Sequence, residues 1–418
     1  MENIFEQYES NVRSYCRHYP TVFKSAKGSV ITDEAGNEYI DFFCGAGALN
    51  YGHNNPYIKE KLIEYLESDG IMHCLDMYAV AKRDFIEYFE ENILKPRGLN
   101  YKIQFPAPTG TNAVEAALKL ARKVKGRPGI FALMGGFHGM TLGSLSLTTD
   151  ADSRKGAGVV LHDVTHIPAP YMFPELDTIK YIETLLTDDH SGVAKPAAII
   201  IEPVQIDGGV YPFETEYLQR LRKLCDEHDI LLIADDIQAG SNRTGWFFSF
   251  ERAGIVPDIV TISKSIGGYG MPFALTLIKP ELDIWSPGEH NGTFRGNQLS
   301  MVAAKAGLEF MLKEDIPAKV REKQPIVENF LKNEILPLDA RLDVRGIGLL
   351  WGIDFNNIPG EPLAGKIVHE CFARGLIAEC AGRRNNVLKL MPPLVIEEEQ
   401  LLAGLHILKE AVKAVLGA

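Results

Sequence analysis

The 418-residue chain lacks what a membrane protein or a nucleic-acid binder needs. It has no run of about 18 or more apolar residues, which excludes a helical membrane span. It has no long basic block and no basic-aromatic pattern, and its net charge is −12. Nucleic acid is therefore not an expected partner. The six cysteines (16, 44, 74, 225, 371 and 380) are scattered, with no C-x-x-C pair. That excludes a disulfide or zinc framework, and no metal site is expected; the thiols read as reduced and mostly buried, as in a cytoplasmic protein. The first residues, Met1-Glu-Asn-Ile-Phe-Glu, are acidic and polar, unlike a secretory or transit peptide. No repeat, low-complexity segment or Pro/Gly/Ser-rich linker occurs, so any domains are closely joined. Gly267-Gly268-Tyr269-Gly270 lacks the G-x-G-x-x-G spacing and its later acid, which excludes a dinucleotide loop.

What is present is an ordinary globular composition, 46% hydrophobic and 23% charged, with length for two or three domains. From about residue 103 to 280, short apolar runs alternate with helical stretches. The runs at 129–134, 197–201, 230–234, 258–262 and 273–278 read as buried strands. The stretches 111–125, 176–187 and 214–228 read as helices. That alternation predicts a mostly parallel α/β sheet. Upstream, residues 1–50 read as a helix and a small hairpin around Glu34-Ala-Gly-Asn37, followed by helices at 57–68 and 77–93. A long helix after 300, two strands within 342–354, and helices near 361–374 and 397–416 make an α+β tail. The tail is expected to join the N-terminal hairpin in a smaller domain. The expected division is 1–56 and 311–418 for that domain, and 57–310 for the large one.

Several of the strand runs end in reactive or polar residues. Ile230-Leu-Leu-Ile-Ala-Asp235-Asp236-Ile-Gln238 delivers two acids and an amide, and Asp258-Ile-Val-Thr-Ile262 leads into Ser263-Lys264. In a parallel sheet such ends meet in one crevice. A lysine that can bond a carbonyl and a carboxylate that can pair with a pyridinium nitrogen are what pyridoxal phosphate asks of a protein. A solvated loop lysine and a magnesium or helix-capping Asp pair are the plainer readings. Pro108-Thr109-Gly110-Thr111 opens an amphipathic helix, a start suited to phosphate, or a plain Thr cap with Glu115 in a capping box. Gly135-Gly136-Phe137-His138-Gly139 lets the backbone approach a ligand with Phe137 as a stacking ring; a buried loop Phe with a bonded His is the alternative. Glu202-Pro-Val-Gln-Ile-Asp207 is a further strand end rich in polar groups. Asn291-Gly-Thr293-Phe-Arg295 places hydroxyl and guanidinium together, either for an anion or as a surface turn.

Taken in order, these motifs, together with Arg243-Thr-Gly245 and Val344-Arg-Gly-Ile-Gly-Leu349, resemble the class III (omega) aminotransferases over nearly the whole chain. The resemblance implies a pyridoxal-phosphate-dependent transferase of fold type I, with a mostly parallel seven-stranded sheet in the large domain and a smaller α+β domain. It implies a homodimer with active sites at the subunit interface. It casts Lys264 as the lysine that carries pyridoxal 5′-phosphate and moves the proton, and Asp235 as the partner of the ring nitrogen. Gln238 would meet the ring's phenolate oxygen, and Phe137 would stack on the ring, with His138 beside it. Gly110 and Thr111 would hold the phosphate, with Thr293 reaching it from the other subunit. Asp236 stands where relatives usually carry Glu. The implied reaction moves an amino group between L-glutamate and a terminal aldehyde. Stretches such as Gly45-Ala-Gly-Ala-Leu-Asn-Tyr-Gly-His-Asn54 and Gly288-Glu-His-Asn-Gly-Thr-Phe-Arg-Gly-Asn297 are similar to the branch that opens the route to ectoine, for which the aldehyde is L-aspartate 4-semialdehyde. Another terminal amine, or an aminomutase reaction, would use the same cofactor residues. Three positions depart from the wider family. Met140 and Lys389 stand where many relatives have carboxylate-binding Arg, and Ile206-Asp207 stands where a small residue and Glu are common. Arg295, Lys389 and Asp207 are accordingly the candidates for substrate contact.

Overall fold

A computed structural model describes residues 4–417. Its centre is a seven-stranded sheet in the order Lys102–Gln104, Leu275–Ile278, Ile259–Ile262, Leu231–Asp235, Ala198–Ile201, Ile130–Leu133 and Val164–Ile167. The five strands from Ile259–Ile262 to Val164–Ile167 pair in parallel, and Leu275–Ile278 runs antiparallel to its neighbours on both sides. The expected mostly parallel α/β sheet is thus the observed one.

Burial on both faces explains the unbroken apolar runs. Every residue of Ile130–Leu133, Ala198–Ile201 and Leu231–Asp235 is buried. Alternate side chains serve different cores. Phe131, Leu133, Ile199, Ile201, Leu232 and Val260 join the larger cluster. Ile130, Ala132, Ala198, Ile200, Leu231 and Ile259 pack under Val114, Ala117, Leu118 and Ala121 of the Gly110–Lys125 helix.

The two ends of the chain meet away from this sheet. The strands Phe23–Lys27, Val30–Asp33 and Glu38–Asp41 form an antiparallel meander that Leu376–Ile377 extends in parallel. A second antiparallel sheet, Asp343–Ile347, Leu350–Asp354, Val387–Leu390 and Glu379–Ala381, lies in the C-terminal part. The single long helix expected after 300 is two, Gln298–Lys313 and Ile316–Phe330. Asp315 breaks it with a left-handed φ of 46°, and its carboxylate caps the second helix at Ala318 N. Among the described residues no helix is long and apolar enough to cross a membrane.

Candidate active site

The parallel strands all point their C-terminal ends the same way, and the reactive residues collect there. Asp235 ends its strand and faces Thr261 in register, so Lys264 follows three residues beyond the same level of the next strand. Asp235 is buried at 4% exposure. Its Oδ2 lies 2.7 Å from Nδ1 of His138, and its Oδ1 accepts the Ile237 backbone N–H at 3.2 Å. His138 is itself buried, with its backbone N–H donated to Thr148 Oγ1 at 2.9 Å. Burial works against its charge, but the hydrogen bond and charge of Asp235 outweigh it and raise the imidazole above its ordinary value. His138 therefore fixes the orientation of the Asp235 carboxylate.

Lys264 adopts a left-handed φ of 54°, rare for a residue with a side chain. Ser263 braces the turn by donating its hydroxyl to Phe273 O at 2.8 Å. Burial lowers the Lys264 amine from its ordinary value; Lys389 pushes the same way, while Asp207, Glu379 and Asp235 pull against it. An amine so placed gives up its proton more readily than a solvated lysine, which suits a nucleophile or base.

Phe137 follows the strand Ile130–Leu133, one strand further along the sheet beyond Ala198–Ile201. Its N–H donates to Glu202 Oε1 at 2.9 Å, and no aromatic ring among the described residues stacks on it. Burial pushes Glu202 up to about 8, so it holds a proton at neutral pH. Gln238 donates its side-chain amide to Ala46 O at 2.9 Å, in a turn where Cys44, Gly45 and Ala46 all have positive φ.

The Gly110–Lys125 helix starts beside this group. A Cβ on Gly110 would come within 2.9 Å of Ile237 Cδ1, so the bare glycine lets the helix start pack closely against the Asp235 turn without moving Ile237. Thr111 Oγ1 lies 2.7 Å from Thr141 Oγ1 and 2.5 Å from Ser144 Oγ. The cap of this helix differs from the expected one. Asn112 accepts both the N–H and the hydroxyl of Thr109, while Glu115 accepts from Thr141 and from Ser144 N. Glu115 is drawn away because Leu142–Leu147 starts a second short helix against it.

All three residues singled out for substrate contact are already in ionic contacts. Lys389, 1% exposed, lies 2.9 Å from Asp207 Oδ1 and 2.8 Å from Glu379 Oε2. Arg295 pairs with Asp76 and reaches His290 O at 3.5 Å, on the wall of a pocket of about 270 Å³ with Lys82 and Trp285. Thr293 lies on the same loop, exposed, its carbonyl 2.7 Å from His73 Nε2. In this chain Thr293 and Arg295 thus sit apart from the Lys264 cluster, while Asp207 and Lys389 belong to it. Asp236 faces away from Lys264: it accepts the Ser249 N–H at 2.9 Å and the Ser249 hydroxyl, and burial raises it to about 7. Glu379 has no precedent in the sequence reading; only its register opposite Lys389 marks it.

The family model for aminotransferase class III matches residues 13–412, and the chain belongs to that family. It is 52% identical over 416 residues to a diaminobutyrate–2-oxoglutarate transaminase of Halalkalibacterium halodurans, covering 99% of this chain and 97% of the relative. A transaminase of the same name from Nocardia farcinica is 52% identical over 415 residues, covering 99% and 94%. Among solved structures, the ornithine aminotransferase of Toxoplasma gondii superposes with a TM-score of 0.86 at 25% identity, covering 99% of this chain and 93% of its own. A Bacillus anthracis aminotransferase gives 0.87 at 25% identity, covering 98% and 97%.

The chain is thus a pyridoxal-phosphate enzyme, and its residues fit the cofactor. A lowered amine and a His-braced carboxylate end adjacent strands. One phenyl ring carries no other ring, and hydroxyls cluster at a helix start where a Cβ on Gly139 would come within 2.5 Å of Thr111 Oγ1.

Proposed function

We propose that this enzyme moves the amino group of L-glutamate to the aldehyde of L-aspartate 4-semialdehyde, yielding L-2,4-diaminobutyrate and 2-oxoglutarate. The observation that carries this reading is the 52% identity to diaminobutyrate–2-oxoglutarate transaminases along essentially the whole of both chains. Pyridoxal 5′-phosphate, when bound, supplies the electron sink that makes the C–H beside the amine acidic. Lys264 would carry it and, once an incoming amine has displaced Nζ, would take that proton on Nζ and return it one carbon away. The lowered basicity of Lys264 makes it readier to give the proton back than a solvated lysine would be. Asp235, held by His138, keeps a proton on the ring nitrogen. Phe137 covers one ring face, Gln238 meets the ring oxygen with its remaining amide hydrogen, and Gly110 and Thr111 take the phosphate.

Thr293 acts from a second copy of the chain. Its loop is tied to a run of exposed apolar side chains, Ile71, Met72, Leu75, Met77 and Tyr78, with Phe294 alongside. A symmetric partner would cover that surface and bring the loop to the other site. The same reading keeps the large domain at 57–310, the small one at 1–56 with 311–418, and the enzyme in the cytoplasm. The test is a steady-state assay of the purified dimer fraction. Release of 2-oxoglutarate from glutamate should depend on added aspartate semialdehyde, with diaminobutyrate as the coproduct. Release driven only by a different aldehyde would move the substrate, and turnover without any keto acid would point to an aminomutase.

A further inference from the structure

The ionic cluster beside Lys264 carries more acid than base. Lys389 is its only fully buried cation, set between Asp207 and Glu379. One ammonium against two carboxylates leaves one negative charge over. Burial lowers the Lys264 amine from its ordinary value, so it offsets that charge less well than Lys389 does. A buried excess charge is stable only when a cation meets it.

Glu379 is the carboxylate with capacity to spare. It starts the Glu379–Ala381 strand directly across from Lys389. Its Oε2 is buried and is paired with Lys389 Nζ at 2.8 Å, with no other donor on it. Its other neighbour is the Tyr15 phenol, which bonds to it and is 49% exposed, so the carboxylate stands between the buried lysines and the solvent. Glu379 is also among the charges that Lys264 feels directly. An incoming amine reacting near Lys264 would therefore extend its far end toward Glu379.

We propose that Glu379 is a specificity-determining residue that receives the distal α-ammonium of a diamine or amino-aldehyde substrate. This inference rests on the reading of the site as a diaminobutyrate-forming transaminase. The chemistry discriminates between two amines of equal length. 2,4-Diaminobutyrate and 4-aminobutyrate share the reacting amine and the carboxylate, and differ in one ammonium group. Glu379 attracts the end that bears it and repels the end that bears a carboxylate alone. A charge-assisted hydrogen bond of this kind separates the two by about tenfold or more.

The experiment measures kcat and KM of the holoenzyme for both amines, with 2-oxoglutarate as acceptor, in the wild type, Glu379→Gln and Glu379→Asp. Retention of the cofactor's visible band shows that each variant folds and loads. The expected result is a wild-type preference for diaminobutyrate that falls about tenfold or more in Glu379→Gln, chiefly through KM, and recovers in part in Glu379→Asp. Should Glu379→Gln lose its band, the ratio in Glu379→Asp decides, and it must still drop. Equal losses for both amines would overturn the inference and leave Glu379 as a prop for Lys389. A wild type that uses both amines equally would overturn it too. A wild type that transaminates glutamate but not diaminobutyrate would instead remove the functional reading, and this inference with it.

Discussion

Replacing Lys389 by methionine removes the only ammonium between two carboxylates while keeping much of the side-chain volume. Glu379 keeps 14% of its side chain exposed and Asp207 34%, so water relieves Asp207 more than Glu379. Breaking a buried pair by deleting one partner costs about 3–5 kcal/mol. With Asp207 partly solvated, the low end, about 3 kcal/mol, is expected. The pH window follows from the shifts. Asp207 is held below its ordinary 3.8, burial being outweighed by Lys389 and Lys264, so its contribution is present above 3.8 and disappears as pH falls through its folded value. Lys389 is raised above 10.5, burial being outweighed by Asp207 and Glu379, so its contribution is present below 10.5 and disappears as pH rises through its folded value. The full loss therefore shows between 3.8 and 10.5, and shrinks in acid as Asp207 takes up its proton. The assay is denaturant unfolding of the holoprotein at neutral and at acid pH. The triple variant Lys389→Met, Asp207→Asn, Glu379→Gln should recover most of the loss, because no charge is then stranded. A loss below about 1 kcal/mol, or a triple variant no better than the single one, would refute the reasoning.

Asp235→Asn should lower kcat by about a hundredfold or more, the scale of withdrawing one aimed charge from a reacting centre; a wild-type rate would mean that Asp235 does not serve the ring nitrogen. Gly139→Ala places a methyl 2.5 Å from Thr111 Oγ1 at a φ of 123°, so cofactor should be lost on dialysis at least about tenfold more readily. Equal retention in the two proteins would show that Thr111 does not contact the phosphate. Glu202 is raised by burial from 4.5 to about 8, so its stabilisation is complete below 4.5 and is lost as pH rises through about 8. The thermal midpoint of Glu202→Gln, which stays neutral, should rise relative to wild type across that range; parallel curves would place the proton elsewhere.

The central sheet was legible because burial on both faces writes strands as continuous apolar runs, as at Ile199-Ile-Ile201. Its edges were not. Lys102–Gln104 and Val164–Ile167 are short, part-exposed and polar, and carry no such run. Helix starts at Pro56, Thr178 and Gln298 were readable to within a few residues because Asn55, Asp177 and Asn297 cap them with their own side chains. In the candidate site, the groups at strand ends were found because the sheet itself brings them together. Glu379 escaped because its significance is a cross-strand partner, and alone in sequence a strand-end acid reads as solvated surface. The bond from His138 to Asp235 joins residues far apart in sequence, after strands separated by a third, and only the folded sheet reveals it.

The most direct measurement is the absorption spectrum of the purified holoprotein, titrated separately with glutamate, 2,4-diaminobutyrate, ornithine and 4-aminobutyrate. Glutamate and diaminobutyrate should each discharge the visible cofactor band, with ornithine and 4-aminobutyrate far less effective, and Lys264→Ala should abolish the conversion. A band that neither glutamate nor diaminobutyrate changes would contradict the account.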